Sequence, residues 1–303
     1  MAREQSGICA EPNLHGLVLQ FNALDGHAAL LRRQFGFVSQ ITSKLSDQFS
    51  EANLNTVLGI GAAYWDNIYP DQRPVGLESF APVTVGDLEM PASPVDFLLY
   101  IRADRYDVLH LASQQLSMLL APHADLIEQT HVFRFMDGRS LTGFMLEPPY
   151  ISGRKKRDLA LIDDIESPFS QGSFMHFQRY RLDFLRWQTL TQSQQEHVIG
   201  RTKLTGQALT EIEDFQNTHV QRCGLSQQGI GLPLVFQDMP FGQLRAQGLV
   251  TVAFSKSPTS YTQWLLGRMG DGIKHYDLVL DYLQADSGAA FFAPSINFLE
   301  DQS

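Results

Sequence analysis

Nine histidines are spread through the 303-residue chain, and none falls in the HExxH, HxH or CxxC spacings that gather ligands around a metal. His219, in "DFQNTHVQRCG", has the most suggestive neighbours: Asn217, Thr218 and Arg222. An imidazole there could ligate a metal or move a proton, although a histidine in such a setting is more commonly a satisfied structural residue. The chain has no GxSxG elbow for a serine nucleophile and no Walker or dinucleotide glycine fingerprint; "GIGAAYW" (59–65) reads as strand. Two further carboxylates stand in "FMDGRSLTGFMLEPPY" (135–150). Asp137 precedes Gly138 as a turn residue does. Glu147 is the lone charge in the apolar run before Pro148 and Pro149.

Composition narrows the classes. Apolar residues make up 44% and charged residues 18%, with 20 phenylalanines, which describes a globular chain with a large core. A formal charge of −10 lacks the basic face that nucleic-acid binding needs. The one basic run, "GRKKRD" (153–158), lies between turn residues and reads as a solvated loop, with an anion or partner patch as its functional alternative. No segment approaches the ~18 consecutive apolar residues of a membrane span. Two cysteines, Cys9 and Cys223, make no disulfide framework, and the start "MAREQSGICAEP" has no apolar signal core, so a cytoplasmic protein with free thiols is expected.

A strand-then-helix unit recurs along the chain. "HGLVLQFNAL" (15–24) precedes "HAALLRRQFGFVSQITSKL", and "GSFMHFQRYRL" (172–182) precedes "TQSQQEHVIGRT". "DFLLYIRADRYDVLHLASQQLSMLL" (96–120) has its counterpart in "GLVTVAFSKSPTSYTQWLLGRM" (248–269). Copies roughly 150 residues apart predict an α+β chain with a duplicated ferredoxin-like fold, antiparallel sheets with helices outside. Further strands are expected near 54–63, 128–135 and 232–236, and the break between halves falls in the Pro/Gly/charge-rich 147–171, giving halves 1–146 and 147–303.

Several ordered motifs together resemble the dye-decolorizing peroxidase family, in particular its bacterial intracellular TyrA-like subgroup. They are 172–206 from "GSFMHFQRYRL" to "GRTKLTG", "THVQRC", "QDMPFGQLRAQGLVTVAFSKS", "HYDLVLDYL" and "GAAFFAPSINFL", with "GIGAAYWDNIYPDQRP" in the first half. The resemblance implies a dimeric α+β barrel type of fold, haem b in the C-terminal half, a small-molecule substrate and a homodimer or larger homo-oligomer. It matches His219 to the axial ligand of the haem iron, Asp277 to the carboxylate orienting it, Arg201 to a partner of a haem propionate, and Phe241 to the motif bordering the haem. An anion on the far ring nitrogen fixes the tautomer and strengthens the imidazole as a donor.

On the distal side the sequence departs from that pattern. The family's GxxDG signature, followed by TENP, is here "GFMLEPPYI", so Leu146 stands at the aspartate position. The family's Arg-x-Asn/Ser-Met-Pro-Tyr/Phe-Gly is here Phe236 to Gly242, with Phe236 at the arginine position. A positioned acid/base contributes about 10² to 10⁴-fold and a preorganised charge about two further decades, and these losses do not simply multiply. Haem chemistry other than efficient peroxidase turnover is therefore the leading expectation. The alternatives are an atypical peroxidase with Glu147, Asp238 or Asp137 as a displaced proton carrier, and a non-catalytic haem or gas binder. Glu147 is one residue out of step with the aspartate position, and Pro148 restricts its backbone.

Overall fold

The computed structural model describes residues 2–146, 151–209, 211–224 and 232–302. Its first half contains β1 (His15–Ala23), α1 (Ala28–Gln48), β2 (Asn55–Gly61), α2 (Trp65–Ile68), β3 (Val83–Val85), β4 (Leu88–Met90), β5 (Phe97–Ala103), α3 (Tyr106–Leu120) and β6 (Ala124–Phe133). The second half follows as α4 (Gly153–Ala160), β7 (Ser173–Leu182), α5 (Phe184–Gln188), α6 (Gln192–Ile199), α7 (His219–Arg222), β8 (Val235–Gln243), β9 (Ala246–Ser255), α8 (Ser260–Met269), β10 (Leu283–Ala293) and α9 (Ile296–Asp301).

β3 and β4 form a small hairpin; the other eight strands make one sheet in the order β6-β1-β5-β2-β10-β7-β9-β8, with every neighbouring pair antiparallel. Numbered within its own half, each set of four lies in the order 4-1-3-2 and carries helices between its strands. The α+β ferredoxin-like duplication expected from the repeat is therefore present. The halves join where β2 meets β10, a short seam registering Gly61 with Phe291 and Ile60 with Phe292.

The sheet curls so that its ends, β6 and β8, pack against each other. Alternation along each strand then sends one set of side chains into the barrel and the other under the helices. Val18, Val57, Leu98 and Tyr100 from the first half meet Phe177, Val250 and Phe291 from the second in the interior. A larger cluster seats α1 and α3 through Leu31, Phe35, Leu109 and Leu116 against Phe97 and Leu99. In the second half, α8 buries Tyr261, Leu265 and Met269 on the outer face beside Tyr180 and Ala253.

Two expectations need correction. "GRKKRD" is not a solvated loop: it opens α4, which exposes Arg154 and Lys155 but turns Lys156 inward, where its ammonium donates to the Ala10 carbonyl at 2.8 Å. The strand expected at 232–236 begins at Val235 and runs on through Pro240 to Gln243. Among the described residues β8 is the last strand of the sheet and pairs with β9 alone, and an edge strand tolerates a proline because one row of its amides is not needed for the ladder. Among the described residues no helix is long and apolar enough to cross a membrane.

Candidate functional site

The site is assembled from short, well-capped elements of the second half. Thr191 and Gln194 form a capping box at the start of α6, and the helix stops at Gly200, whose φ of 85° favours glycine. A Cβ at Gly200 would also lie 2.8 Å from the Thr218 hydroxyl. This tight contact brings the turn carrying Arg201 onto Thr218, which caps α7 by accepting from the Gln221 amide. His219 is the first residue of that helix.

The His219 Nδ1 lies 2.8 Å from Asp277 Oδ2, and the same oxygen accepts from Arg268 Nε at 2.7 Å. Asp277 is fully buried; its Oδ1 accepts from the Val279 amide at 3.1 Å and its own amide donates to the Arg268 carbonyl at 2.8 Å. Arg268 is fixed in turn, donating to the Tyr180 hydroxyl at 3.1 Å and lying over the Trp264 ring at 4.8 Å. Removing one partner of a buried charged pair typically costs about 3–5 kcal/mol, which is why such a clamp holds its geometry.

The electrostatics follow. Burial disfavours the charged imidazole, but the Asp277 carboxylate outweighs it, with Cys223 adding, and the group is raised to about 10. Burial pushes Asp277 the other way, yet His219 and Arg268 hold it below the usual carboxylate range. A ring so raised carries both protons near neutral pH when no ligand is bound; once Nε2 gives up its proton, Nδ1–H stays with Asp277 and Nε2 is the donor atom. The side chain is 30% exposed and forms part of the wall of a cleft.

Leu146, Phe236, Asp238 and Arg201 line the same cleft, with Tyr180, Trp264 and Arg268. Leu182, Ile199, Val279 and Leu283 add to its largely apolar lining. Its free space, including the open mouth and the solvent it opens to, is about 1040 Å³. Phe236 and Asp238 are two apart on β8 and so share a face, Phe236 resting on Trp264 with ring centres 4.7 Å apart. By the same alternation Phe241 points elsewhere: it is buried in the barrel interior, with the Arg179 guanidinium over its ring at 5.9 Å.

Asp137 is not in the cleft. It occupies an exposed turn with φ 62° and lines a neighbouring cavity. Glu147 lies outside the described residues. The remaining candidate acid is Asp238, which burial raises to about 6 against the lowering effects of the Thr251 hydroxyl, Arg268 and His219.

An acid whose folded pKa is raised binds its proton more tightly folded than unfolded. Its contribution to stability is thus full below about 3.8 and is lost as pH rises through about 6. In the protein without bound ligand, Asp238→Asn should gain about 1–2 kcal/mol over wild type at pH 7.5, after allowance for the carboxyl's partial exposure. Denaturant unfolding at pH 7.5 and pH 4 checks this, with little difference expected at the lower pH.

His219, Cys223 and Asp277 present ligand atoms all within 4.8 Å of one another. A metal ion among them would share the buried Asp277 oxygen with the Arg268 guanidinium, placing two cations on one acceptor. The cluster is better suited to clamping the imidazole, whose free nitrogen is the atom able to bind a metal centre from the cleft. Arg268, Tyr180 and Trp264 were not expected here from sequence; a charged residue in an amphipathic helix reads as solvent-facing, and only the fold reveals the buried carboxylate beside it.

The chain matches the family model "Dyp-type peroxidase, N-terminal" over residues 5–134 and "Dyp-type peroxidase, C-terminal" over residues 137–298. It belongs to the Dyp-type peroxidase family. This family member is 32% identical over 252 residues to the dye-decolorizing peroxidase of Mycobacterium tuberculosis, covering 82% of this chain and 75% of that one. A protein from Shewanella oneidensis assigned as Dyp-type superposes with a TM-score of 0.94 at 36% identity, covering 99% of each chain. A variant of DypB from Rhodococcus jostii RHA1, solved in complex with heme, gives a TM-score of 0.90 at 29% identity and 99% coverage of both chains.

Proposed function

We propose that this chain is a haem b protein of its family, with His219 Nε2 as the axial ligand, that carries out haem chemistry other than efficient peroxidase turnover. The observation that carries the reading is the 2.8 Å contact between His219 Nδ1 and the buried, arginine-clamped Asp277, in the wall of an apolar cleft. The residues present fit the group. A neutral imidazole with an anionic partner is a strong donor to iron. Arg201, buried at the cleft wall, supplies a cation suited to a propionate, and the aliphatic and aromatic lining suits the porphyrin faces. When bound, haem would supply a redox-active iron.

The roles of the protein side chains follow from their chemistry. Asp277 keeps Nδ1 protonated and holds the ring in one orientation. Leu146 and Phe236, at the positions of the family's aspartate and arginine, exclude water and carry no titrating group. Such a lining favours a neutral diatomic or an uncharged organic molecule over a bound peroxide anion. Phe241 acts at most indirectly, through the strand it shares with Phe236.

A second reading, a slow peroxide-dependent peroxidase, rests on Asp238. It is a carboxyl facing the cleft and titrating near 6, able to take and return a proton near neutral pH. Asp137, in its exposed turn, is the weaker carrier, and Glu147 is retained only from its place in the sequence. The division at 146/147 with haem in the second half, a homodimeric or larger assembly and a cytoplasmic location belong to this proposal by analogy with the family.

Peroxide-driven dye oxidation by the haem-loaded chain tests the reading. We expect kcat/KM for peroxide at least about 100-fold below that of the Leu146→Asp, Phe236→Arg double variant. A residual rate abolished by Asp238→Asn would favour the second reading, and fast turnover that survives Asp238→Asn would refute both.

A further inference from the structure

Beside the cleft lies a second cavity, with about 840 Å³ of free space including its mouth. Met145, Leu146, Phe236 and Asp238 line both, so the two spaces share a wall. Its lining carries three cations, Arg102 from β5, Lys156 from α4 and Arg134 beyond β6, and two acids, Asp238 and the exposed Asp137.

Lys156 is the unusual member. It is 4% exposed in a helix whose neighbouring basic residues face solvent. Its ammonium has three donors, of which one is taken by the Ala10 carbonyl at 2.8 Å. Among the described residues the only carboxylate within 4.0 Å is Glu11, at that limit and more than half exposed. A buried ammonium is costly unless paired and hydrogen-bonded, and packing alone would be served better by an apolar residue. Arg102, 2% exposed, stacks on the Tyr100 ring at 5.1 Å and adds a second buried positive charge. Leu146, Phe236 and Met239 give the same cavity an apolar part of its lining.

We propose that this cavity binds a small organic acid, its carboxylate on Lys156 and its hydrocarbon body against Leu146 and Phe236. A ligand so placed has its anion held away from the cleft and its apolar end presented at the shared wall. The inference rests on the proposed function for what the acid faces, but not for the existence of the site. It names the substrate class: a monocarboxylate with an aromatic or aliphatic body of a few carbons. The apolar wall disfavours inorganic anions, which would bring charge without surface to bury.

Calorimetric titration of the haem-loaded full chain with benzoate, benzamide and inorganic phosphate tests this, with the Soret band followed in parallel. Benzoate should bind saturably, with benzamide at least about tenfold weaker, as expected for loss of a hydrogen bond to a charged group. Lys156→Met should weaken benzoate at least about tenfold, while Lys156→Arg keeps it within about threefold. Equal binding of benzoate and benzamide, no heat with benzoate, or no effect of Lys156→Met would each overturn the proposal. Phosphate binding as tightly as benzoate would overturn the organic-acid assignment. Should Lys156→Met fail to fold, the benzoate and benzamide comparison on wild type decides. Benzoate binding to a chain that shows no Soret band would count against the haem reading and leave this site standing.

Discussion

Replacing Leu146 by Asp and Phe236 by Arg together should raise kcat/KM for peroxide by about 10² to 10³-fold. Proton relay by a positioned carboxylate is worth about 10² to 10⁴-fold, and a fixed charge partner about 10² to 10³-fold. The two act on one step, so their effects combine less than multiplicatively. Both positions line the cleft that contains His219. An arginine at 236 would keep an aromatic surface to lie on, because Phe236 already packs against Trp264, and it would have Asp238 two residues away on the same strand face. Either single replacement should give a smaller gain, since a carboxylate without its cation is harder to bury. Steady-state kinetics on the folded, haem-loaded variants read the outcome; no gain in the double variant would mean that these positions do not face the reacting atoms.

The fold was legible because its determinants are local. The apolar runs within 15–24 and 172–182 became β1 and β7, and the amphipathic 106–120 became α3, since short apolar runs and helical spacing are local signals. The 4-1-3-2 order in each half follows once the repeat is seen. β8 extends beyond the expected 232–236 through Pro240 and Gly242, residues that a strand at the sheet edge tolerates. α4 was hidden because its inward lysine is explained by a carbonyl at Ala10, far away in the chain.

The site was legible only in part, for the same reason. His219 and Asp277 are 58 residues apart, and no spacing rule joins them, so their pairing came from the resemblance alone. Arg268 could not be placed before the buried carboxylate was. The orientation of Phe241 follows only once β8 is known to run on to Gln243: five residues from Phe236 on one strand, it faces the other way.

The second large effect concerns His219 itself. Its Nδ1 is engaged by Asp277, and Asp277 is held by Arg268 and the Val279 amide, so Nε2 is presented to the cleft by a rigid scaffold. Disturbing an outer partner of a metal ligand typically costs about 10 to 100-fold in affinity, and removing the ligand itself should cost more. His219→Ala should therefore bind haem more than about 100-fold more weakly and lose histidine ligation, while Asp277 remains paired with Arg268 and the fold survives. The decisive measurement is a haem titration of wild type and His219→Ala followed by absorption spectroscopy. A histidine-ligated ferric spectrum in wild type that is absent from the variant is the predicted result, and the same spectrum and affinity in both would contradict the account.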